Sequence, residues 1–82
     1  MLKNGKKRQL LQLSTFFGNK NMIDYLLNKA DITWGKDDLK DNVENMIKSD
    51  DIEACTVFQD YCQHYGIKFS KKHLKSVVFA NL

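Results

Sequence analysis

The stretch Phe17-Gly18-Asn19-Lys20-Asn21-Met22-Ile23-Asp24-Tyr25-Leu26-Leu27-Asn28-Lys29-Ala30-Asp31-Ile32 constrains this chain more than any other feature. Gly18 is placed to stop one helix, because a residue without Cβ adopts the left-handed backbone at no steric cost. Asn19 and Lys20 then turn the chain. Met22, Ile23, Leu26 and Leu27 recur at the spacing of one helical face, which predicts a buried stripe on a second helix. Two antiparallel helices of this length cannot cover their own apolar face. They must stack on a neighbouring unit or meet a partner.

The length of 82 residues predicts one helical domain over 1–82. A domain this small removes only about 60% of its unfolded surface from water, so its stability margin is thin. Proline is absent and glycine limited to four, which favours helices joined by short turns over a β fold. No apolar run approaches the roughly 18 residues that span a bilayer. Lys3, Lys6, Lys7 and Arg8 are followed by alternating apolar and polar residues rather than a signal-peptide core, so a cytoplasmic protein is expected. Cys55 and Cys62 lie on one face of a predicted helix, roughly 10 Å apart and too far for a disulfide, and read as buried thiols of a reducing compartment.

The periodicity predicts an all-α fold of about five helices, two antiparallel pairs plus a C-terminal helix. The first runs from about Lys6 to Phe17, with Leu10, Leu11, Leu13, Phe16 and Phe17 apolar. The second covers Asn21 to Lys29. A connection from Ala30 to Lys36 carries Trp34-Gly35 at its tip. Asp37 or Asp38 caps a third helix reaching Lys48, with Leu39, Val43, Met46 and Ile47 inward. Ser49-Asp50-Asp51 is a turn and a cap together. A fourth helix continues to about His64, where Gly66 stops it, and Ser70 caps a fifth carrying Leu74, Val77, Val78 and Phe79.

Laying the first pair over the second gives a shift of 32 residues: Leu11 falls on Val43, Gly18 on Asp50, Ile23 on Cys55 and Leu26 on Phe58. The pattern resembles the ankyrin repeat, whose period is about 33 residues. Leu11-Gln12-Leu13-Ser14-Thr15 matches that family's first helix, Phe17-Gly18-Asn19 its turn, and Ile23-Asp24-Tyr25-Leu26-Leu27 its second helix. Ala30-Asp31-Ile32 matches the exit with one residue deleted. The Thr-Pro-Leu-His turn of the family is missing. The resemblance implies repeat-like units over about 10–35 and 39–69 and a terminal helix over 70–80. A compact helical bundle sharing the pattern is the alternative. Either arrangement falls below the three full repeats usually needed, so an exposed end is expected, a site for a partner or a second copy.

Net charge is +3, distributed as +5 over residues 1–29, −6 over 30–60 and +4 over 61–82. The acidic centre disfavours a polyanion lying along the whole molecule, so nucleic acid is an unfavoured partner. The basic ends keep a nucleic-acid-binding regulator as the rival reading, beside an ankyrin-like adaptor for another protein. Cys55, Cys62, His64 and His73 lack the spacing of a zinc motif, and no Gly-rich phosphate loop or nucleophile–base pair stands out. No catalytic residue, metal or cofactor is expected. The candidate protein-binding residues are Trp34 and the acidic Asp31, Asp37, Asp38, Asp41 and Glu44. The ankyrin resemblance implies that connection tips are recognition surfaces, and Trp is a frequent interface anchor. The structural alternative folds Trp34 back over the Leu26–Leu39 region.

The whole chain, from Met1-Leu2-Lys3-Asn4-Gly5-Lys6-Lys7 to Val78-Phe79-Ala80-Asn81-Leu82, is also similar in length and in its Lys, Asn and Ile content to the soluble lysis-inhibition proteins of T-even phages, the cytoplasmic antiholins. No motif carries this likeness and no functional residue is transferred. It implies a host-cytoplasmic regulator that binds the cytosolic domain of the phage holin and delays host cell lysis. The acidic strip would then meet a basic juxtamembrane segment.

Overall fold

The computed structural model describes residues 4–68, and all regular structure among them is helical. Helix α1 is Asn4–Phe16, α2 is Lys20–Asp24, α3 is Lys36–Lys40, α4 is Val43–Ser49 and α5 is Ile52–Gln63. The C-terminal helix expected over 70–80 lies outside the described residues.

The first turn is built as its residues dictate. Gly18 takes φ +63°, its N–H donates to the Thr15 carbonyl and the Asn19 N–H to the Ser14 carbonyl, a Schellman closure of α1. The Asn19 side chain accepts from the Met22 N–H at 3.2 Å and caps α2. Helix α2 runs straight into one π-helical turn, Tyr25–Lys29. In an α-helix the Ala30 N–H would bond the Leu26 carbonyl; here it reaches back to Tyr25 at 2.7 Å. The released Leu26 carbonyl accepts the Trp34 indole N–H at 2.8 Å.

The third predicted helix, Asp37 to Lys48, is in fact two. Asn42 divides them. Its side-chain amide donates to the Asp38 carbonyl at 2.7 Å, and its side-chain oxygen meets the Thr15 hydroxyl at 3.0 Å. A short amide side chain that bonds nearby backbone competes with the helical ladder, and α3 closes there. Asp38 rather than a preceding Asp orders the start of α3: its carboxylate accepts the Gly35 N–H at 3.1 Å. At the second turn Asp50 is left-handed at φ 55°, and Asp51 caps α5 through the Ala54 N–H at 3.0 Å. Gly66, at φ +67°, closes α5 with a second Schellman pair, Ile67 to Cys62 and Gly66 to Gln63.

The 32-residue shift is therefore physical as well as textual. Left-handed Gly18 and Asp50 correspond, and so do the caps Asn19 and Asp51. The two turns lie against each other, for a Cβ built on Gly18 would stand 3.1 Å from Asp51 Cβ and 3.2 Å from Ser49 Cβ. Helices α1 and α4 both end there and α2 and α5 both begin there, so the two pairs stack side by side in the same sense. Ile23, Leu26, Leu39, Met46, Cys55, Phe58 and Cys62 are buried between them with Leu11 and Trp34. Full burial of each such large apolar side chain is worth about 1.5–3 kcal/mol, and this shared layer is what neither pair has alone.

Candidate protein-binding surface

Helix α1 is apolar on two sides. At 100° per residue Leu11, Ser14 and Thr15 turn toward the rest of the molecule and are buried, whereas Gln9, Leu13 and Phe16, at i, i+4 and i+7, point away from it. Leu13 is 48% exposed, Phe16 59% and Phe17 73%. The two rings meet edge to face with centroids 5.1 Å apart, which holds the ridge in shape. Gln9, Gln12 and, across from α4, Asn45 complete a shallow hollow around it. Not one charged residue occurs between Gln9 and Asn19.

A second exposed apolar pair, Met22 of α2 and Tyr25 at the start of the π turn, borders a hollow with Asn19 and Asn21. Met22 was expected in the buried stripe. Ile23, Leu26 and Leu27 fill that stripe instead, and Met22, 100° round from Ile23, falls outside it.

Trp34 requires the opposite correction. It is 1% exposed, not presented at the tip of the connection, and so is closed to a partner. Its indole N–H is held by Leu26, the Lys7 ammonium stands 5.4 Å from its ring centroid, and Lys7 also donates to the Thr33 carbonyl at 3.1 Å. A buried indole needs an acceptor, and the π turn supplies one.

The acidic candidates divide. Asp38 is committed within the chain, to Arg8 at 3.0 Å and to the Gly35 N–H. Glu44 is exposed and pairs with Lys48 at 3.1 Å. Asp31, Asp37 and Asp41 are exposed. Asp37 and Asp41, four apart, share one side of α3. Part of the basic first segment thus faces the acidic centre inside one molecule, through Lys7 and Arg8, rather than forming a free basic end.

Between α1 and the α3–α4 break lies a polar hollow of about 250 Å³ lined by Arg8, Leu11, Gln12, Asp38, Asp41 and Asn42. The buried Thr15 hydroxyl donates to the Leu11 carbonyl at 2.9 Å and meets the Asn42 side-chain oxygen at 3.0 Å. Among the described residues no buried side-chain nitrogen or oxygen lacks a hydrogen-bond partner. Cys55 and Cys62 face the core while His64 is exposed, so the imagined zinc ligands among the described residues do not converge. Burial pushes the Cys62 thiol up to about 12. Burial, followed by the hydrogen bond with Tyr65, pushes the Tyr61 hydroxyl up to about 12 as well. Hydrogen bonds from Asn28 and then Lys29 hold the Asp24 carboxyl below its ordinary value. No helix among the described residues is long and apolar enough to cross a membrane.

No family model, no curated protein and no solved structure matches this chain. The ridge is half legible in the sequence: Leu13, Phe16 and Phe17 read as apolar residues of the first helix, and the helical angle sets Leu13 and Phe16 on the side away from Leu11.

Proposed function

We propose that this protein is a small non-enzymatic protein-binding regulator whose partner docks on the Leu13–Phe16–Phe17 ridge of α1. The observation that carries the reading is two adjacent Phe side chains, more than half exposed, on a helix whose other face is already in the core. Such a surface resembles the aromatic centre of a protein interface, where a few large side chains supply most of the binding energy. The like-sense stacking of two helix pairs supports an ankyrin-like arrangement with its first unit open. The likeness to antiholins makes the partner a phage holin's cytosolic domain, and capture of that domain before it assembles would delay host cell lysis. Such a regulator needs no active site, only a face that favours the unassembled partner.

The test is calorimetric titration of the chain against a purified holin cytosolic domain. Replacing Phe16 and Phe17 with Ser is expected to weaken binding by tenfold or more, about 1.4 kcal/mol. Undiminished affinity would remove the ridge as the contact, and no binding by the unaltered chain would remove the holin as partner. The nucleic-acid rival predicts salt-sensitive binding to generic DNA or RNA. The engagement of Lys7 and Arg8 by Thr33, Trp34 and Asp38 counts against it.

A further inference from the structure

The connection from Ala30 to Gly35 joins the π turn to α3 as a strap. Asp31, Thr33 and Gly35 are exposed and Ile32 is half-buried, so Trp34 alone is sunk in the core. Both ends carry small residues on extended backbone, Ala30 at φ −72° and ψ 145°, Gly35 at φ −81° and ψ 157°. The Gly35 end is anchored by the Asp38 carboxylate, which accepts its N–H at 3.1 Å. Between the ends two groups hold the strap down. One is the indole N–H on the Leu26 carbonyl at 2.8 Å. The other is Lys7, whose ammonium lies 5.4 Å from the ring centroid and donates to the Thr33 carbonyl at 3.1 Å.

Lifting out a buried indole ordinarily strands its acceptor. Here the Leu26 carbonyl has a second donor close at hand. The Ala30 N–H, which an α turn sends to Leu26, is held by Tyr25 at 2.7 Å. Moving that bond by one carbonyl converts the π turn to an α turn and satisfies Leu26 without the indole. The Tyr25 carbonyl then takes the Lys29 N–H, its ordinary donor four residues on. Leu26 thus has two exclusive partners, the indole with a π turn or Ala30 with an α turn.

We infer that the strap is a two-state device that opens while the helices stay folded, the π turn becoming an α turn as Trp34 leaves. The open form is the minor state, because burial of the indole favours the closed one. Lys7 is the latch: it reaches from a separate helix, and both of its contacts fall on the strap. Arg8, by contrast, grips Asp38, beyond the hinge at Gly35. A segment held by one buried side chain is where a small domain opens short of global unfolding.

The chain has a single Trp, which makes the test direct. Hydrogen exchange of the full chain is followed by NMR at the Trp34 indole, the Ala30 amide and the Phe58 amide within α5. Relative to its intrinsic rate, the indole is expected to exchange at least about tenfold faster than the Phe58 amide. The Ala30 amide, bonded in both states, should stay slow. Lys7→Gln should speed indole exchange further and raise acrylamide quenching of the Trp fluorescence, with Phe58 unchanged. Indole and Phe58 exchanging together would mean that the strap opens only with the whole chain, and overturns the device. Ala30 exchanging as fast as the indole would mean that the turn frays, and overturns the change of partners. Indole exchange unmoved by Lys7→Gln overturns the assignment of Lys7 as latch.

Discussion

The two helix pairs share their turns and differ on their outer faces. Left-handed Gly18 and Asp50, and the caps Asn19 and Asp51, repeat at a shift of 32 residues, as do the core positions Ile23 with Cys55 and Leu26 with Phe58. The outward positions do not repeat. Where α1 carries Leu13, Phe16 and Phe17, the same shift places Asn45, Lys48 and Ser49. What recurs is what a stacked helix pair needs in order to close. What does not recur is the aromatic ridge, which the second pair does without, so the fold itself gives no reason for it.

The sharpest way to break the comparison is at Trp34, which ties the first pair to the connection and has only Gly66 at the shifted position. Trp34→Ala should cost about 3–5 kcal/mol and leave much of so small a domain unfolded, as read by urea denaturation followed by circular dichroism. Trp34→Phe keeps most of the volume but strands the Leu26 carbonyl, for about 1–3 kcal/mol. If both variants unfold at the midpoint of the unaltered chain, the indole is not what closes the first pair. Gly18→Ala comes next. The left-handed backbone costs a side chain about 1–2 kcal/mol, and the close approach of Ser49 and Asp51 adds to it. A loss well under 1 kcal/mol would mean that the two turns do not bear on each other.

These expectations also mark what the sequence could and could not disclose. Gly18, Asn19, Asp51 and Gly66 were legible because turn and cap chemistry is local: the residue type states the backbone geometry or the missing acceptor. The break at Asn42 was not, because its local bond to the Asp38 carbonyl is joined by a second contact, the Thr15 hydroxyl on its side-chain oxygen, distant in sequence. For Trp34 the residues alone allow both an exposed tip and a fold back over Leu26–Leu39; the second holds, because the π turn frees the Leu26 carbonyl and gives the indole a buried partner. Charge blocks were visible as composition, but not that Arg8 spends its charge on Asp38.

Smaller effects test whether the two turns are equivalent. Asn19→Ala and Asp51→Ala should each cost about 1 kcal/mol of folding stability in denaturant titrations, and unequal losses would show which turn bears more of the stack. Alkali tests the second pair alone. The Cys62 thiol and the Tyr61 hydroxyl have native values raised to about 12 by burial, from ordinary values of 9.0 and 10.0. The folded state therefore favours their protonated forms. Their contribution is fully present below about pH 9 and is lost as pH rises toward 12. Stability measured between those limits should fall, and Cys62→Ser should remove the part of the slope that begins first. At the acid end the lowered Asp24 gives the reverse sign, stability present above 3.8 and lost as pH falls below it, by a small amount because the group is solvent-exposed.

The smallest stability effect is expected where the largest binding effect lies. Phe16→Ser and Phe17→Ser remove side chains that rest mostly in water, so the folded state should change by no more than about 0.5 kcal/mol, within the range of ordinary surface substitutions. Changing Lys48, at the position of α4 that matches Phe16, should leave stability equally untouched, whereas the Asn45 amide stands 3.4 Å from the Thr15 hydroxyl and from the Asn42 oxygen and belongs to the contact between α1 and α4. The Phe pair and Lys48 then separate on binding alone, with loss expected from the Phe pair but not from Lys48. A Phe pair whose removal costs several kcal/mol would instead belong to the core of this chain, and the difference between the two outer faces would be one of packing, not of recognition.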